Sequence, residues 1–129
     1  MKSVKVSEAD GMVLDWLVAK CEGVVVVHRQ WAYKTSRLLT KRSVDLGGGE
    51  VFYEPSSNWS QGGPIIEREE IDPCNYTSRR VSKVAALWLA TKGVYDFKMM
   101  GPTPLIAAMR CYVASKLGEV VDVPEELLK

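Results

Sequence analysis

The segment GPTPLIAAMRCYVASKLG at 101–118 constrains the fold more than any other stretch, because it carries a complete set of helix signals. Thr103 suits the N-cap, Pro104 the first helical position, where a missing N–H costs nothing, and Gly118 the stop. Leu105, Ile106, Met109, Tyr112, Val113 and Leu117 fall on one face at helical spacing. A stripe of that width needs an apolar layer to cover it, so the remaining chain must supply one.

The chain offers a second helix and several strands. Ser7 can cap a helix over residues 8–22, in which Val13, Leu14, Leu17, Val18 and Cys21 recur at helical spacing before Gly23. The run Val24–Val27 is too short for a helix and wholly β-branched, which predicts a buried strand. Residues 28–46 are basic and mixed, and Gly47, Gly48 and Gly49 mark a turn before EVFYE, so residues 28–49 read as a long hairpin insert with a mobile tip. Pro64–Ile71 reads as a further strand, with a loop at 72–78.

Within 81–92, Val81, Val84, Ala85, Trp88 and Leu89 fit a helix stripe, whereas Ala86, Trp88 and Ala90 alternate as in a strand. The Lys92-Gly93 pair followed by the alternating VYDFKM favours two strands and a hairpin turn. In the tail, Pro124 is a breaker with too few residues after it for an independent helix. These signals predict one α+β domain over residues 1–129, with the N-terminal and C-terminal helices covering one antiparallel sheet.

Composition bounds the function. At 129 residues the chain is too short for two ordinary domains, and 47% hydrophobic with 26% charged residues excludes disorder. A net charge of +1 excludes a uniformly basic nucleic-acid-binding surface, though not local segregation of charge. Cys21, Cys74 and Cys111 are odd in number and widely spaced, which suggests neither a disulfide framework nor a zinc site and fits a reducing cytoplasm. MKSVKVSEAD lacks the apolar run of a signal peptide, and no stretch approaches a membrane span.

Catalytic equipment is sparse. His28, the only histidine, ends the valine run and reads as structural. Cys21 and Cys111 fall beside apolar helix positions, where burial makes thiols inert. Glu67 and Glu69 would share a strand face in the manner of a glycosidase pair, but a solvated face with Arg68 opposite explains them more simply. The Gly47–Gly49 triplet precedes a strand, so it reads as a hairpin turn and not a phosphate loop. The expectation is a nonenzymatic protein with no metal and no cofactor.

Two constellations point to binding. Arg29, Lys34, Arg37, Lys41 and Arg42 are interleaved with Trp31 and Tyr33 and no acid, a pattern that can hold a phosphate backbone and stack a base. The competing reading is a charged hairpin that stays soluble and resists edge pairing. The second is SSNWSQGGPIIE at 56–67, where Gly62, Gly63 and Pro64 already supply a turn and the remaining side chains are surplus to it. Trp59 offers a flat apolar face, Asn58 and Gln61 offer donors and acceptors, and the Gly62 and Gly63 N–H groups could line an anion-binding concavity. Those are parts of a small-ligand pocket. The structural alternative has Trp59 plugging the core while the amides tie down the loop.

DWLVAKCEG at 15–23, PSSNWSQGGPIIERE at 55–69 and GPTPLIAAMRCYVASKLGEVVDVPEELL at 101–128 resemble the NinX-like proteins of tailed bacteriophages, a family catalogued as a domain of unknown function. The basic insert at 29–46 departs from the compact pattern of that family. The resemblance implies a phage accessory protein in the host cytoplasm and supplies no catalytic residues to carry over. With it, the first expectation is a binder of a small polar or nucleotide-like ligand through Asn58, Trp59, Gln61, Gly62 and Gly63, sequestering a host defence signal. The alternatives are an adaptor or inhibitor of a host protein, and nucleic-acid binding through the basic hairpin.

Overall fold

A computed structural model of the chain describes residues 1–30, 36–41, 48–75, 87–93 and 97–128, Lys41 through its backbone alone. Its hub is α3, Pro104–Leu117, formed where the sequence signals place it: Thr103 Oγ1 accepts the Ile106 N–H at 3.1 Å, Pro104 opens the helix and Gly118 closes it. The predicted one-sided stripe becomes burial on every side, with Leu105 and Ala107–Ala114 all buried. Three layers enclose α3: helix α1 (Gly11–Glu22), helix α2 (Trp59–Arg68), and a sheet of β5 (Asp72–Asn75), β6 (Trp88–Lys92) and β7 (Phe97–Gly101). Small residues permit this crowding. A Cβ on Gly101 would lie 2.8 Å from the Ala107 backbone nitrogen, so only glycine lets the end of β7 cross the helix this closely.

The α+β class stands, but the single sheet becomes three antiparallel ones among the described residues. β6 joins β5 and β7, with Ala90 opposite both Pro73 and Met99. β1 (Lys2–Lys5) pairs with β8 (Val120–Val123), so part of the tail is a strand. β2 (Val27–Gln30), β3 (Ser36–Lys41) and β4 (Glu50–Phe52) form the third sheet, so the segment expected to be one long hairpin holds a strand of its own, paired on both sides; the expected tip falls among residues 31–35 and 42–47, outside the described residues. Gly48 and Gly49, at φ of 66° and 82°, make the turn into β4 that a residue with a Cβ resists. Residues 125–128 form a 3-10 turn.

Several boundaries differ from expectation. Residues 6–8 are a 3-10 turn and α1 starts at Gly11 after Asp10, so Ser7 does not cap it; Gly23, left-handed at φ 70°, does end it. The valine run is not a buried strand: only Val27 enters β2, and Val25 is 82% exposed. Pro64–Ile71 is mostly helix, because Asn58 caps α2 and the Gly62 and Ile65 face packs inward. Pro64 removes one helical hydrogen bond, and the carbonyl it leaves free belongs to exposed Ser60. The loop expected from 72 is strand β5 up to Asn75. Trp88–Lys92 is a strand as expected; Val81, Val84, Ala85, Ala86 and residues 76–78 and 94–96 lie outside the described residues.

The core joins Val6, Leu14, Leu17, Val18, Ile65, Ala90, Met109, Tyr112, Val113 and Val123. One cation enters it: Arg110 donates through Nε to Ala9 O and through Nη1 to Met100 O, both at 2.7 Å, and has no carboxylate partner among the described residues. Burial makes that guanidinium easier to deprotonate than usual, against the opposing effect of the nearby Asp10 charge. The arrangement ties the start of α1 to the end of β7.

Candidate functional site

The segment 56–67 builds the first turns of α2. Asn58 Oδ1 accepts from the Ser60 N–H at 2.9 Å and the Ser60 hydroxyl at 2.6 Å, which makes Asn58 the N-cap. Gln61 is clamped at both ends of its amide: Oε1 accepts the Glu54 N–H at 2.6 Å and Nε2 donates to Phe52 O at 2.7 Å. The Gly62 N–H donates to Asn58 O at 2.9 Å, so it belongs to the helix and not to an anion concavity. Gly62 itself is buried because a Cβ there would strike Pro55 O and reach Leu105 Cδ1 at 2.5 Å. The amides therefore tie down the loop, as the structural alternative held.

Trp59 takes neither predicted place. Its side chain neither fills the core nor closes a pocket but is 54% exposed on the outer face of α2. One edge rests beside Gly63, where an added Cβ would stand 3.9 Å from Trp59 Cε3. The structure thus brings all five candidate residues into the first two turns of α2 and its cap, with Asn58 Oδ1, both ends of the Gln61 amide and the Gly62 N–H committed to the protein and the indole open.

Beside this loop, α1 and the β3–β4 pair enclose a polar cleft of about 200 Å³ lined by Met12, Asp15, Arg37, Phe52, Tyr53 and Glu54, among others. Asp15 forms its floor at 5% exposure and accepts the Ser56 N–H through Oδ1 at 2.8 Å. Burial pushes its carboxyl up to about 6 against the lowering effect of Ser56. Arg37 lies over the Phe52 ring at 4.0 Å from the centroid and reaches Glu54 at 3.4 Å. Sequence reasoning missed this cleft; its one signal was an acid among the apolar residues of the first helix.

Several of the remaining candidates have partners within the protein. Arg29 pairs with Glu50 at 2.8 Å, so with Arg37 it makes two of the five predicted phosphate contacts already engaged by β4 and the loop after it. Lys41 lies on β3, and Trp31, Tyr33, Lys34 and Arg42 lie outside the described residues. His28 approaches Glu126 at 3.8 Å and keeps a buried Nε2 with no hydrogen-bond partner among the described residues. Glu67 and Glu69 are at a helix end and not on a strand: Glu67 is exposed, while Glu69 meets Lys92 at 2.8 Å and Arg68 at 2.9 Å. Lys92, then Arg68, hold its carboxyl down at about 2. Arg68 also grips both oxygens of Glu22, at 3.0 and 2.6 Å, and the Tyr112 hydroxyl donates to Glu22 at 2.6 Å. This network locks α1, α2, α3 and β6 together.

Among the described residues no group of His, Cys, Asp and Glu could hold a metal ion, and no helix is long and apolar enough to cross a membrane. No curated protein matches the chain. Residues 5–116 match the family model described as Bacteriophage P22, NinX, and the matched range takes in the basic segment 29–46. With α1, α2 and all but the last residue of α3 inside that match, the chain belongs to the bacteriophage P22 NinX family.

Proposed function

We propose that this NinX-family protein is a nonenzymatic phage accessory protein, an adaptor or inhibitor that docks on a host protein with Trp59 as its anchor. The observation that carries the reading is the indole's 54% exposure in a segment whose neighbouring polar groups are bonded internally. Tryptophan supplies a large, rigid apolar area, and such residues dominate binding energy at protein interfaces. The clamped Gln61 and the N-cap Asn58 hold the helix turn that presents the indole, so little ordering is needed on docking.

The test replaces Ser60, exposed one residue from the indole, with a photo-crosslinking amino acid during infection, with a control at exposed Glu8. A host protein captured at 60 but not at 8, and lost in Trp59→Ala, supports the reading. No position-specific product overturns it. Trp59→Ala is a clean probe because exposed substitutions shift stability by only about 0.5 kcal/mol.

A second reading places a small polar ligand, with sequestration of a host signal as its use, in the Asp15–Arg37 cleft. The juxtaposed carboxyl, guanidinium and carboxylate favour it, and the volume counts against it: about 200 Å³ is below the range of ordinary ligand pockets. A thermal-shift screen over nucleotides and metabolites decides it, since a true ligand at a hundredfold excess over its Kd adds about 2.7 kcal/mol. A hit whose shift survives Arg37→Ala would exclude this cleft.

A further inference from the structure

The cleft between α1 and the β3–β4 pair leaves one charge uncompensated. Asp15 is buried at its floor, and among the described residues it meets no cation; Ser56 is its hydrogen-bond partner, at 2.8 Å. Arg37 does not serve it. That guanidinium is 40% exposed at the rim, stacked on the Phe52 ring at 4.0 Å and turned to Glu54 at 3.4 Å. The charge that bears on Asp15 is the Glu54 carboxylate, which repels it. Arg37 and Glu54 offset each other, so the floor carries the negative charge of Asp15 in its ionised form. A buried carboxylate held by Ser56 alone is poorly compensated.

The walls constrain the rest of a ligand. Met12, Leu38 and Phe52 supply apolar lining beside the charged floor. A space of about 200 Å³ matches about seven waters at about 30 Å³ each, which suits a compound of about that many non-hydrogen atoms and is too small to enclose a whole nucleotide. Arg37, by pinning both the Phe52 ring and Glu54, holds the rim in shape. The space thus calls for a short carbon stem with one charged end.

We propose, resting on the reading of this cleft as a ligand site, that it takes a small organic cation, an amine or guanidinium compound whose charged group pairs with Asp15 and whose stem lies along Met12, Leu38 and Phe52. A cation at the floor supplies the ion pair that the chain itself lacks, and Glu54 at the rim adds to the attraction. Such a ligand favours the ionised carboxyl, and so competes with the proton that burial keeps on Asp15 up to about pH 6. Glu54, Arg37 and Tyr53 are the other ionisable groups lining the cleft, and Asp15→Asn separates their effects from those of Asp15. Burial pushes the Tyr53 phenol far above its usual range, so it adds no charge at neutral pH.

Thermal-shift titration of the full chain with butylamine and with methylguanidinium is the test, beside the neutral butanol and the anionic butyrate at matched ionic strength. Both cations raise the Tm, and the fitted affinity is about tenfold weaker at pH 5, where about a tenth of Asp15 is ionised, than at pH 8. Asp15→Asn keeps an acceptor for the Ser56 N–H, melts no lower than wild type at pH 8 and loses both shifts there. Equal shifts in wild type and Asp15→Asn, or equal affinities at the two pH values, overturn the proposal. A shift from butanol or butyrate that survives Asp15→Asn and is lost in Arg37→Ala keeps the cleft as a ligand site and overturns the cation. Silence from all four probes also overturns the cation, and leaves the cleft itself to the screen over nucleotides and metabolites.

Discussion

Asp15 and Ser56, 41 residues apart in sequence, are joined by a buried hydrogen bond of 2.8 Å from the Ser56 N–H to Asp15 Oδ1. The bond fixes the loop that leads into α2 against the middle of α1, so the platform carrying Trp59 and the floor of the polar cleft depend on one side chain. A carboxylate is an expensive choice for that position, because ionising it inside the protein has only partial compensation.

That cost makes stability depend on pH. Burial lifts the Asp15 carboxyl from 3.8 to about 6, so between those values the folded chain keeps a proton that the unfolded chain releases. Stability from this group is therefore full below about pH 4, falls as pH rises through about 6, and stays reduced above; the displacement is worth about 3 kcal/mol. Asp15→Asn keeps an oxygen acceptor for Ser56 and removes the charge. Its Tm should match wild type near pH 4 and exceed it at pH 8 in thermal denaturation; equal values at pH 8 would contradict the assignment.

Glu69 acts with the opposite sign. Lys92 first, then Arg68, hold its carboxyl at about 2, so its contribution is present above the ordinary value of 4.5 and is lost as pH falls towards 2. Glu69→Gln should lower stability by about 1 to 2 kcal/mol at neutral pH and flatten the acid limb of the unfolding profile. With Asp15 eroding stability from above, the wild-type optimum should lie near pH 5.

The legibility of this fold follows the range of the forces involved. α3 is readable because its signals are local: Thr103, Pro104 and Gly118 mark its ends whatever packs on it. α2 is misread because Pro64 and the apolar pair Ile65-Ile66 look strand-like, while the reason for a helix is tertiary, the fit of Gly62 between Pro55 and Leu105. Val24–Val27 shows the same limit, since β-branched side chains signal a strand without saying whether anything covers it. At the candidate site, Asn58 and Gln61 are recognisable as polar groups with partners to find, but the partners of Gln61, Phe52 and Glu54, are fixed only by the β3–β4 pairing. Nothing local to Asp15 announces Ser56.

The three cysteines should separate by reactivity. Cys74 on β5 is exposed, Cys21 is half-buried, and Cys111 is fully buried on α3. Burial pushes the Cys21 and Cys111 thiols up to about 11, which leaves little thiolate at neutral pH. Mass spectrometry after brief alkylation of the native protein should find Cys74 modified and the other two protected, with all three modified in denaturant. Rapid native labelling of Cys111 would mean that α3 is not enclosed as described.

The paired glycines of α2 give the sharpest test of how the platform is built, because adjacent positions should respond in opposite directions. A methyl group on Gly62 collides with the Pro55 carbonyl and with Leu105, a site that cannot yield without separating the loop from α3, so Gly62→Ala should cost about 1 to 3 kcal/mol. At Gly63 the same methyl meets only Trp59 Cε3, at an ordinary contact distance of 3.9 Å, and alanine is the better helix former, so Gly63→Ala should gain up to about 1 kcal/mol. Chemical denaturation of the two variants measures both. Equal losses would show that Gly63 is also confined, and therefore that the indole is pressed against the helix and not free on its outer face.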